Sequence, residues 1–112
     1  MTRRAYAIVR LDHSGSATDA HIAALQALSA ERNVELVGGG VLLTQSDSGF
    51  CLLLAGLDFD AADLVLVPSI THVSGWLDVL RHRTEVWTAF PRLRWPPRCV
   101  RSPSCESIPE PI

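Results

Sequence analysis

The chain reads as an α/β protein of about four parallel strands, in the order 2-1-3-4, with helices on both faces in three layers. Three observations predict this. Residues 5–10 (Ala-Tyr-Ala-Ile-Val-Arg) and 64–67 (Leu-Val-Leu-Val) are near-continuous apolar runs, the pattern of strands covered on both faces of a parallel sheet. Segments of helical periodicity alternate with them, and strand–helix alternation implies right-handed crossovers. The 112 residues, 47% apolar and 20% charged, make one ordinary globular core.

The elements follow in order. After the first strand, Ser14 to Ser16 form a polar loop. Ser16 or Thr18 is placed to cap a helix carrying Ile22, Leu25 and Leu28 on its apolar side, running to about Arg32, with Asn33 as its stop. Residues 34–37 form a second strand. Gly38-Gly39-Gly40 interrupts it as a bulge or bend, and residues 41–43 resume an extended run. The run Ser46-Asp47-Ser48-Gly49 reads as a turn and cap. Residues 50–57 suit either a helix, from their leucine and alanine, or a short buried strand. Residues 64–67 are the clearest strand. Residues 73–83 read as a helix with Trp76, Leu77, Val79 and Leu80 on one side, and 84–88 as a last short strand.

From Pro91 onward lie six of the seven prolines and no periodicity. The expected organisation is therefore a domain over residues 1–90 and a mostly disordered Pro/Arg-rich tail over 91–112. The formal charge of −2 argues against a strongly basic nucleic-acid binder. No apolar run reaches the ~18 residues of a membrane span, and the N-terminus lacks the pattern of a signal peptide. A cytoplasmic chain is expected. Cys51, in the apolar run, is expected to be a buried small hydrophobe. Cys99 and Cys105 have neither the spacing nor the neighbours of a zinc site.

In an open parallel α/β sheet, ligands sit outside the carboxyl ends of the strands. Here those ends are Arg10-Leu11-Asp12-His13-Ser14 and Pro68-Ser69-Ile70-Thr71-His72-Val73-Ser74-Gly75. Asp12 and His13 would face Thr71 and His72 across adjacent strands. Two imidazoles and a carboxylate are ligand types for a metal or an anion. Asp12, His13, Ser14 and Ser16 also contain the residue types of a catalytic triad, but neighbours on one loop rarely reach its geometry. Gly38-Gly39-Gly40 lacks the lysine and following helix of a phosphate loop. No cofactor is indicated.

Two stretches resemble the N-terminal catalytic domain of the resolvase/invertase (serine recombinase) family. One opens Tyr6-Ala7-Ile8-Val9-Arg10, against the family's Tyr-Ala-Arg-Val-Ser, and continues to Ala30-Glu31-Arg32-Asn33-Val34-Glu35-Leu36-Val37. The other is residues 62–75, where the family has an apolar strand followed by Asp-Arg-Leu-Gly-Arg. The resemblance implies a resolvase-like fold and, in intact members, a serine that attacks a DNA phosphate while arginines stabilise the charge. In this chain the nucleophile position holds Arg10 and the strand arginine position holds Ile8. Thr71, His72 and Gly75 stand where the second motif has its acid and arginines. The resemblance therefore implies a degenerate, non-catalytic domain of DNA-recombination ancestry, acting through protein association or homo-oligomer formation, or persisting as a mobile-element relic.

Two further readings come from the residues themselves. One is a small ligand- or metal-binding domain that uses Asp12, His13, Thr71 and His72. The other is an accessory nucleic-acid-binding protein that uses Arg92, Arg94, Trp95, Arg98 and Arg101 in the tail. Residues 1–90 carry six arginines against ten acidic residues, whereas 91–112 carry four against two.

Overall fold

The computed structural model describes residues 3–58, 61–73, 75–96 and 110–112. Strand β1 (Arg3–Arg10) leads through a short helix α1 (Leu11–Ser14) and a 3-10 turn (Gly15–Ala17) into helix α2 (Thr18–Glu31). Then come β2 (Val34–Thr44), α3 (Asp47–Gly56), β3 (Leu64–Val67), a 3-10 turn (Ile70–Val73), α4 (Leu77–Arg81), β4 (Glu85–Ala89), β5 (Arg92–Trp95) and β6 (Glu110–Pro111). The sheet order is β2-β1-β3-β4-β5-β6. The first four strands are parallel to one another, and β5 and β6 are antiparallel additions. Among the described residues the sheet is therefore mixed and six-stranded, not one of four parallel strands.

The alternation of β1 divides the core. Ala5, Ala7 and Val9 pack with Leu25 and Leu28 of α2, Leu64, Leu66 and Trp87. Tyr6 and Ile8 face the other way and meet Phe50 and Leu54 of α3, Val65, Val67 and Leu80 of α4. Each face of the sheet thus has its own helical cover, because successive strand side chains point to opposite sides.

Local chemistry explains most boundaries. Neither Ser16 nor Thr18 caps α2; the Thr18 hydroxyl donates to the Gly15 carbonyl at 2.7 Å. Asn33 ends α2 with a left-handed φ of 59°, a conformation asparagine tolerates better than most residues. Between β1 and β2 the register moves from Ala5↔Leu36 to Ala7↔Val41. The extra residues of β2 around the three glycines are a bulge within one strand. Ser46 caps α3 by accepting from the Gly49 N–H at 3.1 Å, and this resolves residues 50–57 as helix. The predicted helix over 73–83 is shorter, because Gly75 takes φ 82° and α4 begins only at Leu77.

Two expectations are corrected. Arg92–Trp95, expected in a disordered tail, is a strand paired with β4, and residues 110–112 return to the sheet beside it. Two ion pairs hold β5. Arg94 Nε donates to Glu85 at 2.6 Å, and Arg92 pairs with Glu31 of α2. Cys51, expected to be buried, is exposed on α3, because its helix covers the sheet with Phe50 and Leu54 and turns Cys51 and Leu52 outward. Cys99 and Cys105 lie outside the described residues. Among the described residues, no helix is long and apolar enough to cross a membrane.

Candidate functional site

The two predicted strand ends meet. β1 and β3 are adjacent and parallel, so the segment after Arg10 and the turn after Val67 emerge on the same edge of the sheet. Their point of contact is His72, only 1% exposed. Its Nδ1 accepts the backbone N–H of Arg10 at 3.1 Å. The neutral ring therefore carries its hydrogen on Nε2. That nitrogen lies 3.4 Å from Ser14 Oγ, and Ser14 Oγ lies 2.6 Å from Nδ1 of His21 on α2. The His13 and His21 rings pack on His72 with centroids 5.5 and 5.6 Å away. Burial pushes the His72 pKa down to about 4, and the neighbouring His13, His21 and Arg10 act in the same direction.

Arg10 closes the other side of the cluster. Its guanidinium is buried at 4% exposure. Nε and Nη2 donate to the two Asp12 oxygens at 3.2 and 2.7 Å, a bidentate pair. Nη1 donates to Asp47 Oδ1 at 3.3 Å, and the group lies over the Phe50 ring at 5.4 Å. Trp76 Nε1 donates to the same Asp47 oxygen at 3.3 Å. The Arg10 hydrogen bonds hold the Asp12 carboxyl below the usual carboxylate range. Each charged nitrogen of Arg10 is thus engaged with a carboxylate of the chain itself.

Of the four candidate ligand residues, three converge. Asp12 lies on Arg10, with its Oδ2 4.0 Å from His13 Nε2, and His13 stacks on His72. Thr71 does not join them; its hydroxyl pairs with that of Ser69 at 2.7 Å on the surface. Among the described residues, no three His, Cys, Asp or Glu side chains are arranged to hold a metal ion.

Sequence reasoning passed over Arg10 as a structural cation, and His21 altogether. His21 reaches Ser14 because the chain turns at Gly15 (φ 52°) and through the 3-10 turn between α1 and α2, an approach that no periodicity in the sequence expresses. Ser14 takes its partners from α2 and from the turn after β3, not from its loop neighbour His13.

The tail candidates are divided. Arg92 and Arg94 are engaged with Glu31 and Glu85, and Trp95 packs partly buried against the core. Arg98 and Arg101 lie outside the described residues. A separate apolar groove of about 250 Å³ runs between α3 and α4, lined by Cys51, Leu54, Ala55, Trp76, Val79 and Leu80 with Arg83 at its edge.

Comparison with protein-family models, with curated proteins and with solved structures finds no match to this chain.

Proposed function

We propose that this chain is a resolvase-like domain of three-layer arrangement that carries out no DNA strand exchange and works by association with a protein partner. The observation that carries the reading is Arg10. It stands at the end of β1, where the resemblance calls for the nucleophilic serine, and its guanidinium is spent on Asp12 and Asp47. A phosphodiester approaching this strand end meets neither a serine on the strand nor an unengaged guanidinium from Arg10. Strand exchange needs the nucleophile together with preorganised charge stabilisation, and loss of one such donor alone lowers a rate roughly 100- to 1000-fold. The association half of the reading draws on the groove between α3 and α4, with Leu52 and Val79 exposed beside it. The test is direct. Incubated with supercoiled and linear duplex DNA, the chain leaves the DNA uncut and free of attached protein on a denaturing gel. A serine–phosphate link to DNA would refute the reading.

A second reading is favoured by the convergence of Asp12, His13, His21 and His72: a small-ligand site on the loops after β1 and β3. Imidazole ring signals followed by NMR during titration with acetanilide, a neutral aromatic amide, provide its test. Shifts confined to His13, His21 and His72, with His82 on the far end of α4 silent, support it. If all four histidines stay unmoved, the site reading fails.

A further inference from the structure

We infer that Ser14 is a nucleophile activated by His21, suited to acyl transfer from small neutral esters. The inference rests on the second reading above, that the loops after β1 and β3 form a ligand site.

The neighbours of the hydroxyl allow it the polarity of a nucleophile. The Arg10 N–H occupies His72 Nδ1, so His72 presents an N–H, not a lone pair, to Ser14 Oγ. The serine oxygen accepts there, and with His21 in its Nε2–H tautomer the serine donates its own hydrogen to His21 Nδ1 at 2.6 Å. A hydroxyl donating to an imidazole nitrogen at this distance is the nucleophile–base relation of acyl-transfer enzymes. Other hydroxyls of the molecule are used differently. Those of Thr18, Ser29, Thr84 and Thr88 donate to backbone carbonyls at 2.6–2.8 Å, the ordinary way to satisfy such a group.

Access and substrate class follow from the surroundings. Gly15, next to Ser14, takes φ 52°, and a Cβ built there would meet nothing within 4 Å. The open space lies beside Gly15, and Ser14 itself is only 6% exposed, so the route to its oxygen is narrow and suits a small substrate. The edge of the site is formed by imidazoles and by Phe90, half exposed and 5.6 Å from the His21 ring. Arg10 is engaged by two carboxylates, and the exposed Asp12 carboxylate opposes an incoming phosphate. A neutral ester with a small acyl or aryl group fits this environment better than an anion.

The chemistry balances without an outside reagent other than water. Ser14 Oγ bonds to the ester carbonyl carbon as its proton passes to His21 Nδ1. The tetrahedral adduct expels the alcohol, which leaves with that proton. Water then attacks the acyl-Ser14, gives a proton to His21, and the acid departs as Ser14 recovers its hydrogen. The net change is ester plus water to acid plus alcohol.

The experiment treats the full chain with a biotinylated fluorophosphonate and maps the adduct by tandem mass spectrometry, with p-nitrophenyl acetate hydrolysis followed in parallel. The expected result is one adduct, on Ser14. Ser14→Ala abolishes labelling, and His21→Gln slows both labelling and hydrolysis by about 100-fold, the scale of a general base. The adduct position on the unaltered chain is decisive even if a variant misfolds. No adduct, an adduct elsewhere, or unchanged labelling in a folded His21→Gln overturns the inference. Acetanilide shifts of the histidine rings without a Ser14 adduct would leave the ligand-site reading standing and remove this one alone; absence of both removes both.

Discussion

The backbone N–H of Arg10 donates to His72 Nδ1 at 3.1 Å across 62 residues of sequence. That bond ties the end of β1 to the turn after β3. It also selects the His72 tautomer, with the ring hydrogen on Nε2 toward Ser14. The same residue holds Asp12 and Asp47 with its side chain. Arg10 is therefore the organising residue of the strand-end cluster, by its backbone on one side and its guanidinium on the other.

Its charge lends itself to an asymmetric test. Arg10→Met keeps most of the buried volume and releases two surface carboxylates to water, so stability should change by only about 1 kcal/mol. Asp12→Ala combined with Asp47→Ala leaves a buried guanidinium uncompensated and should lower the melting temperature by clearly more. Thermal unfolding of the two variants decides the point. An equal or larger loss in Arg10→Met would mean that the cation is held by packing, not by its acids.

His72 makes stability depend on pH in a defined window. Its folded pKa is lowered to about 4 from 6.5, so below pH 6.5 the unfolded chain binds a proton that the folded chain refuses. Stability from this group is fully present above pH 6.5 and declines as the pH falls toward 4, by up to about 3 kcal/mol. Urea unfolding at intervals between pH 7.5 and 4 measures it. His72→Gln should flatten the curve in that interval; an unchanged slope would assign the dependence to other groups.

Deletion of residues 91–112 removes β5 and β6 and strips Arg94 from Glu85, a buried carboxylate that is left to Arg3. The expected loss from that contact alone is about 1.5–3 kcal/mol, as for a hydrogen bond to a charged group. Equilibrium denaturation tests this. The same variant tests the nucleic-acid reading of the tail. If binding in a low-salt gel shift depends on Arg92, Arg94, Trp95, Arg98 and Arg101, deletion abolishes it. Because Arg92 and Arg94 are engaged with Glu31 and Glu85, their individual replacement by Ala should change melting temperature more than binding.

Cys51 should react in the folded protein. In a Cys99→Ser/Cys105→Ser background, a chromogenic disulfide such as Ellman's reagent should modify one thiol per chain without denaturant, because the side chain is exposed at the groove between α3 and α4. Reaction only after unfolding would place Cys51 in the core after all.

Much of the fold was legible because it rests on local rules. The apolar runs of β1 and β3 announce strands buried on both faces. The spacing of Ile22, Leu25 and Leu28 announces α2, and Asn33 and Ser46 mark boundaries through backbone conformation and capping. What escaped depends on distant partners. Residues 92–95 look irregular among prolines, yet they pair with β4 and neutralise Glu85 and Glu31. The run 50–57 carries no period that separates helix from buried strand, and the Ser46 cap together with packing of Phe50 and Leu54 on the sheet settles it.

The sequence by itself determined the strand–helix alternation and the meeting of two strand ends. These depend on side-chain periodicity and residue identity, which neighbours in the chain express directly. Tertiary structure alone decided that Arg10 is closed by Asp12 and Asp47, that Thr71 stays apart, and that Ser14 lies between His21 and His72. Those relations join residues 2 to 58 positions apart. A hydrogen bond is set by angstroms and by the surrounding burial, and neither is written in sequence order.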